Sequence, residues 1–191
     1  MNLPNKLTVF RMVLAPFFVA ALIVPQSPHR YLAAFLLFAA ASYTDHLDGK
    51  IARRDGLVTN FGKFMDPLAD KILVISALVC FLQLGWTNVW FVLLVVAREF
   101  LVTSLRLVAA DSGVVVAANR WGKAKTVSQI AAVLAVLLMQ YLCAVLAPGN
   151  GETLAGCHLA GEVLIGVSVA LTVVSGAVYL QQNWGLFRAS R

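Results

Sequence analysis

Six long apolar stretches dominate the sequence and restrict it to one broad class of fold. Each is roughly 20 residues long, which is enough for a helix to cross the hydrocarbon core of a bilayer. Only 13% of the 191 residues are charged, whereas soluble domains are about one quarter charged. The sequence therefore predicts one all-α integral membrane domain over residues 1–191 with six transmembrane helices. The expected spans are approximately residues 7–24, 31–53, 62–84, 89–110, 122–146 and 159–180.

Basic residues concentrate at one end of the predicted helices. The loops at the opposite end contain only Arg30 among the strong bases. The positive-inside rule places the basic end, and with it both termini, in the cytoplasm. A multi-pass protein of the plasma (inner) membrane is expected, and contact with anionic lipids explains the net charge of +6 better than nucleic acid does. The basic end comprises Lys6, Arg11, the loop of residues 50–63, Arg120, Arg188 and Arg191.

Four aspartates at helical spacing mark the expected functional site. Asp45 and Asp48 are spaced i, i+3, and Asp66 and Asp70 are spaced i, i+4, so each pair lies on one face of its helix. Four carboxylates close together repel one another unless a cation neutralises them. Oxygen ligands of this kind suit Mg²⁺, Mn²⁺ or Ca²⁺. Because Lys and Arg side chains surround the carboxylates, the site also suits a diphosphate substrate.

This stretch resembles the signature of the CDP-alcohol phosphotransferases. The similarity covers eight fixed positions and the spacing between them. The matching pattern is Asp45-x-x-Asp48-Gly49-x-x-Ala52-Arg53, then eight residues, then Gly62-x-x-x-Asp66-x-x-x-Asp70. Three further stretches are similar to family members that use glycerol 3-phosphate as the acceptor. They are residues 3–11, residues 97–106 with the run Ala-Arg-Glu, and residues 121–129.

The resemblance implies a fold, a reaction and a set of residue roles. The fold would have six membrane helices in a homodimer, with two divalent cations, Mg²⁺ or Mn²⁺, in a cytoplasmic cavity. The reaction would transfer the phosphatidyl group from CDP-diacylglycerol to sn-glycerol 3-phosphate and release CMP. Asp45, Asp48, Asp66 and Asp70 would bind metal, and Asp70 would also be the general base. The CDP-diacylglycerol headgroup would contact Asn5, Thr8, Gly49, Arg53 and Thr59.

Charged residues inside the fourth and fifth predicted helices provide candidates for the acceptor pocket. Ionisable groups within a span are costly and indicate function by default. Arg98, Arg106, Lys123 and Lys125 are the candidates for holding the phosphate of glycerol 3-phosphate. The alternative interpretation is a structural ion pair of Glu99 with Arg98 or Arg106, and plain flanking charge for the two lysines.

Two other functions compete with this interpretation. Within the same family, a cardiolipin synthase of the CDP-alcohol type would use phosphatidylglycerol as its acceptor. In a different class, a divalent-cation transporter would use the four aspartates as an ion site. Transporters bind ions near the bilayer midplane and often contain internal repeats, whereas these acids lie at the interface and no repeat is visible.

The three cysteines show no metal-ligand spacing. Cys80 and Cys143 lie in apolar runs, so buried thiols without a disulfide are expected.

Overall fold

Six helices form the described part of the chain in a computed structural model. The structure describes the backbone of residues 3–24, 26–54, 60–111 and 120–184; within these ranges the side chains of residues 3–5, 7, 45–54, 60–64, 66, 67, 70, 110, 111 and 120 are not described. The helices are α1 (Leu3–Ile23), α2 (His29–Arg54), α3 (Asn60–Gln83), α4 (Val89–Asp111), α5 (Arg120–Leu146) and α6 (Gly151–Gln182). The expected all-helical class is confirmed, and no strand occurs among the described residues.

The helices pack around a core of apolar side chains. Helix α1 contacts α2 and α3, α5 contacts α6 and α2, and α4 contacts α6 and α3. Phe18 of α1 and Phe38 of α2 are fully buried, with ring centroids 5.6 Å apart. Leu137 of α5 and Ile165 of α6 are also fully buried. All four side chains belong to one cluster of buried apolar residues, and α2 packs against α5, so the core also joins helices that are distant in sequence.

The outer surface of the bundle is apolar as well. Large side chains such as Phe17, Trp90, Leu107 and Val127 are more than half exposed. An apolar surface of this extent is unfavourable in water and fits contact with lipid. By length and composition, two of the described stretches can cross a membrane, namely Trp121–Leu146 and Gly151–Gln182; Thr8–Ile23 and Lys71–Gln83 are shorter apolar helices. A membrane protein is thus supported, while six spans stay a prediction.

A tight turn connects α3 and α4 in the short gap between the expected spans 62–84 and 89–110. Gly85 has φ +74°, a left-handed conformation that glycine adopts without a Cβ penalty. Its amide donates to the carbonyl of Leu82 at 3.1 Å, and the amide of Trp86 donates to the carbonyl of Phe81 at 2.8 Å. This pair of bonds is the Schellman ending, which satisfies carbonyls at the helix terminus. Trp86 then turns inward and is 3% exposed.

Helix α6 begins eight residues before the expected start at Leu159. The Asn150 side chain accepts hydrogen bonds from the amides of Glu152 and Thr153, at 3.1 and 3.2 Å. An asparagine N-cap of this kind satisfies amides that lack a helical partner, and the Glu152 carboxylate is favoured in the first turn by the helix dipole. The cap therefore converts part of the expected loop into helix.

The cysteines differ from the expectation. Cys143 near the end of α5 and Cys157 near the start of α6 form a disulfide, while Cys80 is a buried free thiol. The expectation of no disulfide was wrong because the short α5–α6 hairpin brings together two cysteines 14 residues apart. The disulfide lies at the end predicted to be outside the cytoplasm, where disulfides persist.

Thiol counting tests this pairing. Alkylation of denatured protein without reductant is expected to modify one cysteine, and prior reduction should raise the number to three, because Cys80 is the free thiol. Mass spectrometry gives both numbers. The Cys143→Ser variant is the control, since it releases the Cys157 thiol and should show two modified cysteines without reductant. Three modified cysteines in denatured, unreduced protein would contradict the disulfide.

Candidate active site

Helices α2 and α3 contain the four aspartates of the signature. Asp45 and Asp48 lie within α2, and Asp66 and Asp70 lie within α3. The helical premise of the spacing argument is therefore confirmed, and the two helices contact each other. The four side chains lie outside the described set, so their mutual distances and their metal binding stay predictions.

The donor chemistry of these positions fits divalent cations. Four carboxylates on two touching helices provide hard oxygen ligands on rigid elements. Among the side chains that the structure describes, no group of three or more His, Cys, Asp or Glu could hold a metal ion. Metal binding by the aspartates of the signature stays a prediction.

Of the residues expected to contact CDP-diacylglycerol, only Thr8 has a described side chain. Thr8 is fully buried in α1, one turn before the fully buried Arg11. Asn5 and Arg53 lie in α1 and α2. The side chains of Asn5 and Arg53 are not described. Only the helical backbone of Gly49 is described, and Thr59 lies outside the described residues.

One carboxylate joins two of the four candidate cations for the acceptor. Arg98 Nη1 donates to Glu99 Oε1 at 2.9 Å, and Lys125 Nζ donates to the same oxygen at 2.7 Å. Glu99 is 8% exposed and Lys125 is 5% exposed. Glu99 and Arg98 therefore form the structural ion pair that was the alternative interpretation. Lys125 of α5 is a further partner of Glu99, which the sequence did not indicate. An ion pair with Arg106 is not found.

Arg98 is also held from the opposite side by α6. Its Nη2 donates to Ser175 Oγ at 2.8 Å. Its aliphatic part lies against Gly176, where an added Cβ would be only 2.9 Å from Arg98 Cγ. The absence of a side chain at Gly176 therefore makes room for Arg98, so that α4 and α6 approach closely here.

The other two candidate cations are accessible. Arg106 is exposed, and its guanidinium carbon lies 5.5 Å from the ring centroid of Tyr179. That contact is within the range of a cation–π interaction. Lys123 is exposed in the first turn of α5. Arg98 and Lys125 thus belong to a buried cluster, whereas Arg106 and Lys123 face the surroundings.

Lys71 is a cation near the site that the sequence analysis did not select. It directly follows Asp70 in α3, and its ammonium donates to Thr103 Oγ1. Thr103 Oγ1 in turn donates to the carbonyl of Glu99 at 2.8 Å. The adjacency to Asp70 was the available signal, but sequence alone could not bring Lys71 to α4.

A small recess lies between α3, α4 and α5 beside these groups. Its polar lining consists of Lys71, Glu99, Lys125, Thr126 and Gln129. Its free volume is about 10 Å³, roughly the room that one water molecule needs. The recess therefore accepts one hydroxyl-sized group and is too small for a whole glycerol phosphate.

Comparison with known proteins identifies the family. The family model for CDP-alcohol phosphatidyltransferase matches residues 1–174. The chain therefore belongs to the CDP-alcohol phosphatidyltransferase family, which confirms the resemblance carried by the aspartate signature.

Several relatives match over almost the whole chain. A CDP-diacylglycerol–glycerol-3-phosphate 3-phosphatidyltransferase of Bacillus subtilis is 43% identical, with 99% of this chain and 98% of the relative covered. A protein of the same name from Rickettsia felis is 37% identical, with 94% of each chain covered. A probable phosphatidylglycerophosphate synthase of Mycobacterium tuberculosis is 37% identical, with 94% of this chain and 80% of the relative covered.

The close approach at Gly176 yields a stability prediction. Gly176→Ala should lower the free energy of unfolding by about 1 to 3 kcal/mol, because Arg98 must shift to admit the methyl group. The melting temperature in detergent gives the sign of the change. Gly161→Ala in the same helix is the matched control, since its nearest neighbour would be Met139 Cε at 3.4 Å, an ordinary contact. Equal melting temperatures for the two variants would contradict the tight packing at Arg98.

Proposed function

We propose that this chain transfers the phosphatidyl group from CDP-diacylglycerol to sn-glycerol 3-phosphate, giving phosphatidylglycerophosphate and CMP. The similarity to transferases of that name over nearly the full length carries the proposal. Lys71 and Lys125, which both line the recess, support it, because a phosphorylated acceptor needs positive charge around its phosphate. Family membership favours this transferase over a divalent-cation transporter.

Two divalent cations, Mg²⁺ or Mn²⁺, are part of the proposal. Asp45, Asp48, Asp66 and Asp70 would hold them between α2 and α3. Bound there, the cations would neutralise the diphosphate of CDP-diacylglycerol and lower the barrier to departure of CMP.

Asp70 is proposed as the general base. Its carboxylate would accept the proton of the attacking glycerol hydroxyl, which must lie within hydrogen-bond reach. The hydroxyl oxygen then forms a bond to the phosphorus that bears the diacylglycerol, while the bond from that phosphorus to the CMP oxygen breaks in line. The proton stays on Asp70 and the electron pair leaves with CMP.

The described cations would divide the work of binding glycerol 3-phosphate. Arg106 and Lys123 are exposed, so they can meet a phosphate that arrives from outside the bundle. Arg98 and Lys125 form ion pairs with Glu99. They would add positive charge behind the bound phosphate. Asn5, Thr8, Gly49, Arg53 and Thr59 would hold the CDP-diacylglycerol headgroup, as the family resemblance implies.

The membrane arrangement completes the proposal. Six spans would place both termini and the site in the cytoplasm, in a plasma (inner) membrane. The exposed apolar side chains would contact membrane lipids, with the acyl chains of the substrate among them. A homodimer is expected from the resemblance alone.

Release of CMP with different acceptors tests the proposed function. Purified protein in detergent receives CDP-diacylglycerol and Mg²⁺ or Mn²⁺, and glycerol 3-phosphate, phosphatidylglycerol, serine and inositol are offered separately. Release with glycerol 3-phosphate alone is the expected outcome. Release with phosphatidylglycerol alone would instead identify a cardiolipin synthase of the same family, and no release by folded protein would reject the transferase.

The role of Asp70 is tested by Asp70→Asn. Turnover should fall by about 100-fold or more, because general base catalysis contributes on that scale. Rates are measured across a metal titration: loss of the base lowers the maximal rate at saturating metal, whereas loss of a ligand raises the metal concentration at half-maximal rate. Glu152→Gln in the exposed first turn of α6 is the control. Near-normal turnover in folded Asp70→Asn protein would remove Asp70 from this role.

A further inference from the structure

The two carboxylate oxygens of Glu99 have different surroundings. Oε1 accepts from both Arg98 and Lys125. Among the described residues, none donates a hydrogen bond to Oε2. The Glu99 side chain is also not sealed in the interior, because it lines the recess between α3, α4 and α5. A carboxylate that is 8% exposed therefore keeps one accessible acceptor.

Glu99 is also part of a site of defined size. Glu99 lines the recess between α3, α4 and α5, whose free volume is about 10 Å³. A group that fills this space and satisfies a carboxylate oxygen must be small and must donate a hydrogen bond. Water and a single alcohol hydroxyl meet both conditions.

The recess also lies beside the expected position of the reaction. Lys71, which forms part of its wall, is the residue after Asp70. Lys71 donates to Thr103, and Thr103 donates to the Glu99 carbonyl. The helix with the proposed base and the helix with Glu99 are therefore joined directly at this level.

We propose that Glu99 Oε2 accepts a hydrogen bond from the hydroxyl of the acceptor that does not react, and so selects a polyol phosphate. This inference rests on the proposed function. Glycerol 3-phosphate has a primary hydroxyl, which is the less hindered nucleophile, and a secondary hydroxyl on the middle carbon. The secondary hydroxyl enters the recess in place of a water, while the phosphate stays outside the recess.

The two cations that share one oxygen of Glu99 explain why its other oxygen can bind the hydroxyl. A buried carboxylate is strongly disfavoured unless it is paired. Arg98 and Lys125 both pair with the same oxygen of Glu99, which leaves the other oxygen for the substrate. Hydrogen bonds to a charged group are stronger than those between neutral groups, so a missing hydroxyl should reduce the rate markedly.

A comparison of two acceptors tests the proposal. Glycerol 3-phosphate and 3-hydroxypropyl phosphate differ only in the secondary hydroxyl. The wild-type protein is expected to prefer glycerol 3-phosphate by about 10-fold or more in kcat/KM for CMP release, which is the scale of one hydrogen bond to a charged group. A wild-type preference near unity would overturn the proposal, since no group would then recognise the hydroxyl.

The Glu99→Gln variant shows whether Glu99 is that group. The amide oxygen can still accept from Arg98 and Lys125, whereas the amide nitrogen can only donate. The nitrogen therefore replaces Oε2, and the preference should fall to about 3-fold or less because the charged acceptor is lost. Equal losses with both acceptors, leaving the preference intact, would mean that Glu99 only holds the two cations, and would overturn the proposal.

Two further variants complete the experiment. Glu162→Gln is the matched control, because Glu162 is hydrogen-bonded to Asn88 at 3.0 Å and does not line the recess; its preference should equal that of the wild type. If Glu99→Gln does not fold, Glu99→Asp keeps the charge and withdraws the oxygens by one carbon, and the same fall in preference is expected. An unchanged preference in folded Glu99→Asp protein would overturn the proposal. A wild-type protein inactive with glycerol 3-phosphate would reject the proposed function itself.

Discussion

The pairing of the Glu99 carboxylate with both Arg98 and Lys125 is the interaction on which the buried charges of the bundle depend. Moving an ion out of water costs several kcal/mol even after relaxation, so each member of this cluster requires the others. The cluster joins α4 to α5 directly and to α6 through Ser175. Because it contains two cations and one carboxylate, it keeps one positive charge. A low-dielectric interior with that charge attracts an anion and favours a phosphorylated acceptor over a neutral alcohol.

Sequence reasoning recovered the elements that depend on local chemistry. The six helices, the turn at Gly85 and the helical backbone of the four aspartates follow from apolar run length, glycine and spacing, and the structure confirms them. The start of α6 was misplaced because one capping residue, Asn150, outweighed a stretch rich in glycine. A single side chain at a helix terminus is easily missed when composition is averaged over a loop.

The missed contacts between helices all depend on which helices are neighbours. The bond between Lys125 and Glu99 joins residues 26 positions apart, and the bond between Lys71 and Thr103 joins residues 32 positions apart. Periodicity gives the face of a helix but not the partner that covers it. The disulfide between Cys143 and Cys157 was missed for the same reason, because it requires knowledge that α5 packs against α6. The candidate site was therefore predicted as a list of cations, and the structure divided that list into a buried cluster and an exposed pair.

The two ends of the bundle are built for different tasks. At one end, the disulfide, the buried Trp86 and the bond between Asn88 and Glu162 connect the helices through covalent, aromatic and polar contacts. At the other end, buried charges enclose a recess with room for one small group. A substrate with a hydroxyl, a phosphate and an attacking oxygen cannot enter that recess whole. Under the proposed function, recognition would then be divided, with the hydroxyl inside the bundle and the phosphate at its edge, and the attacking oxygen would lie between them.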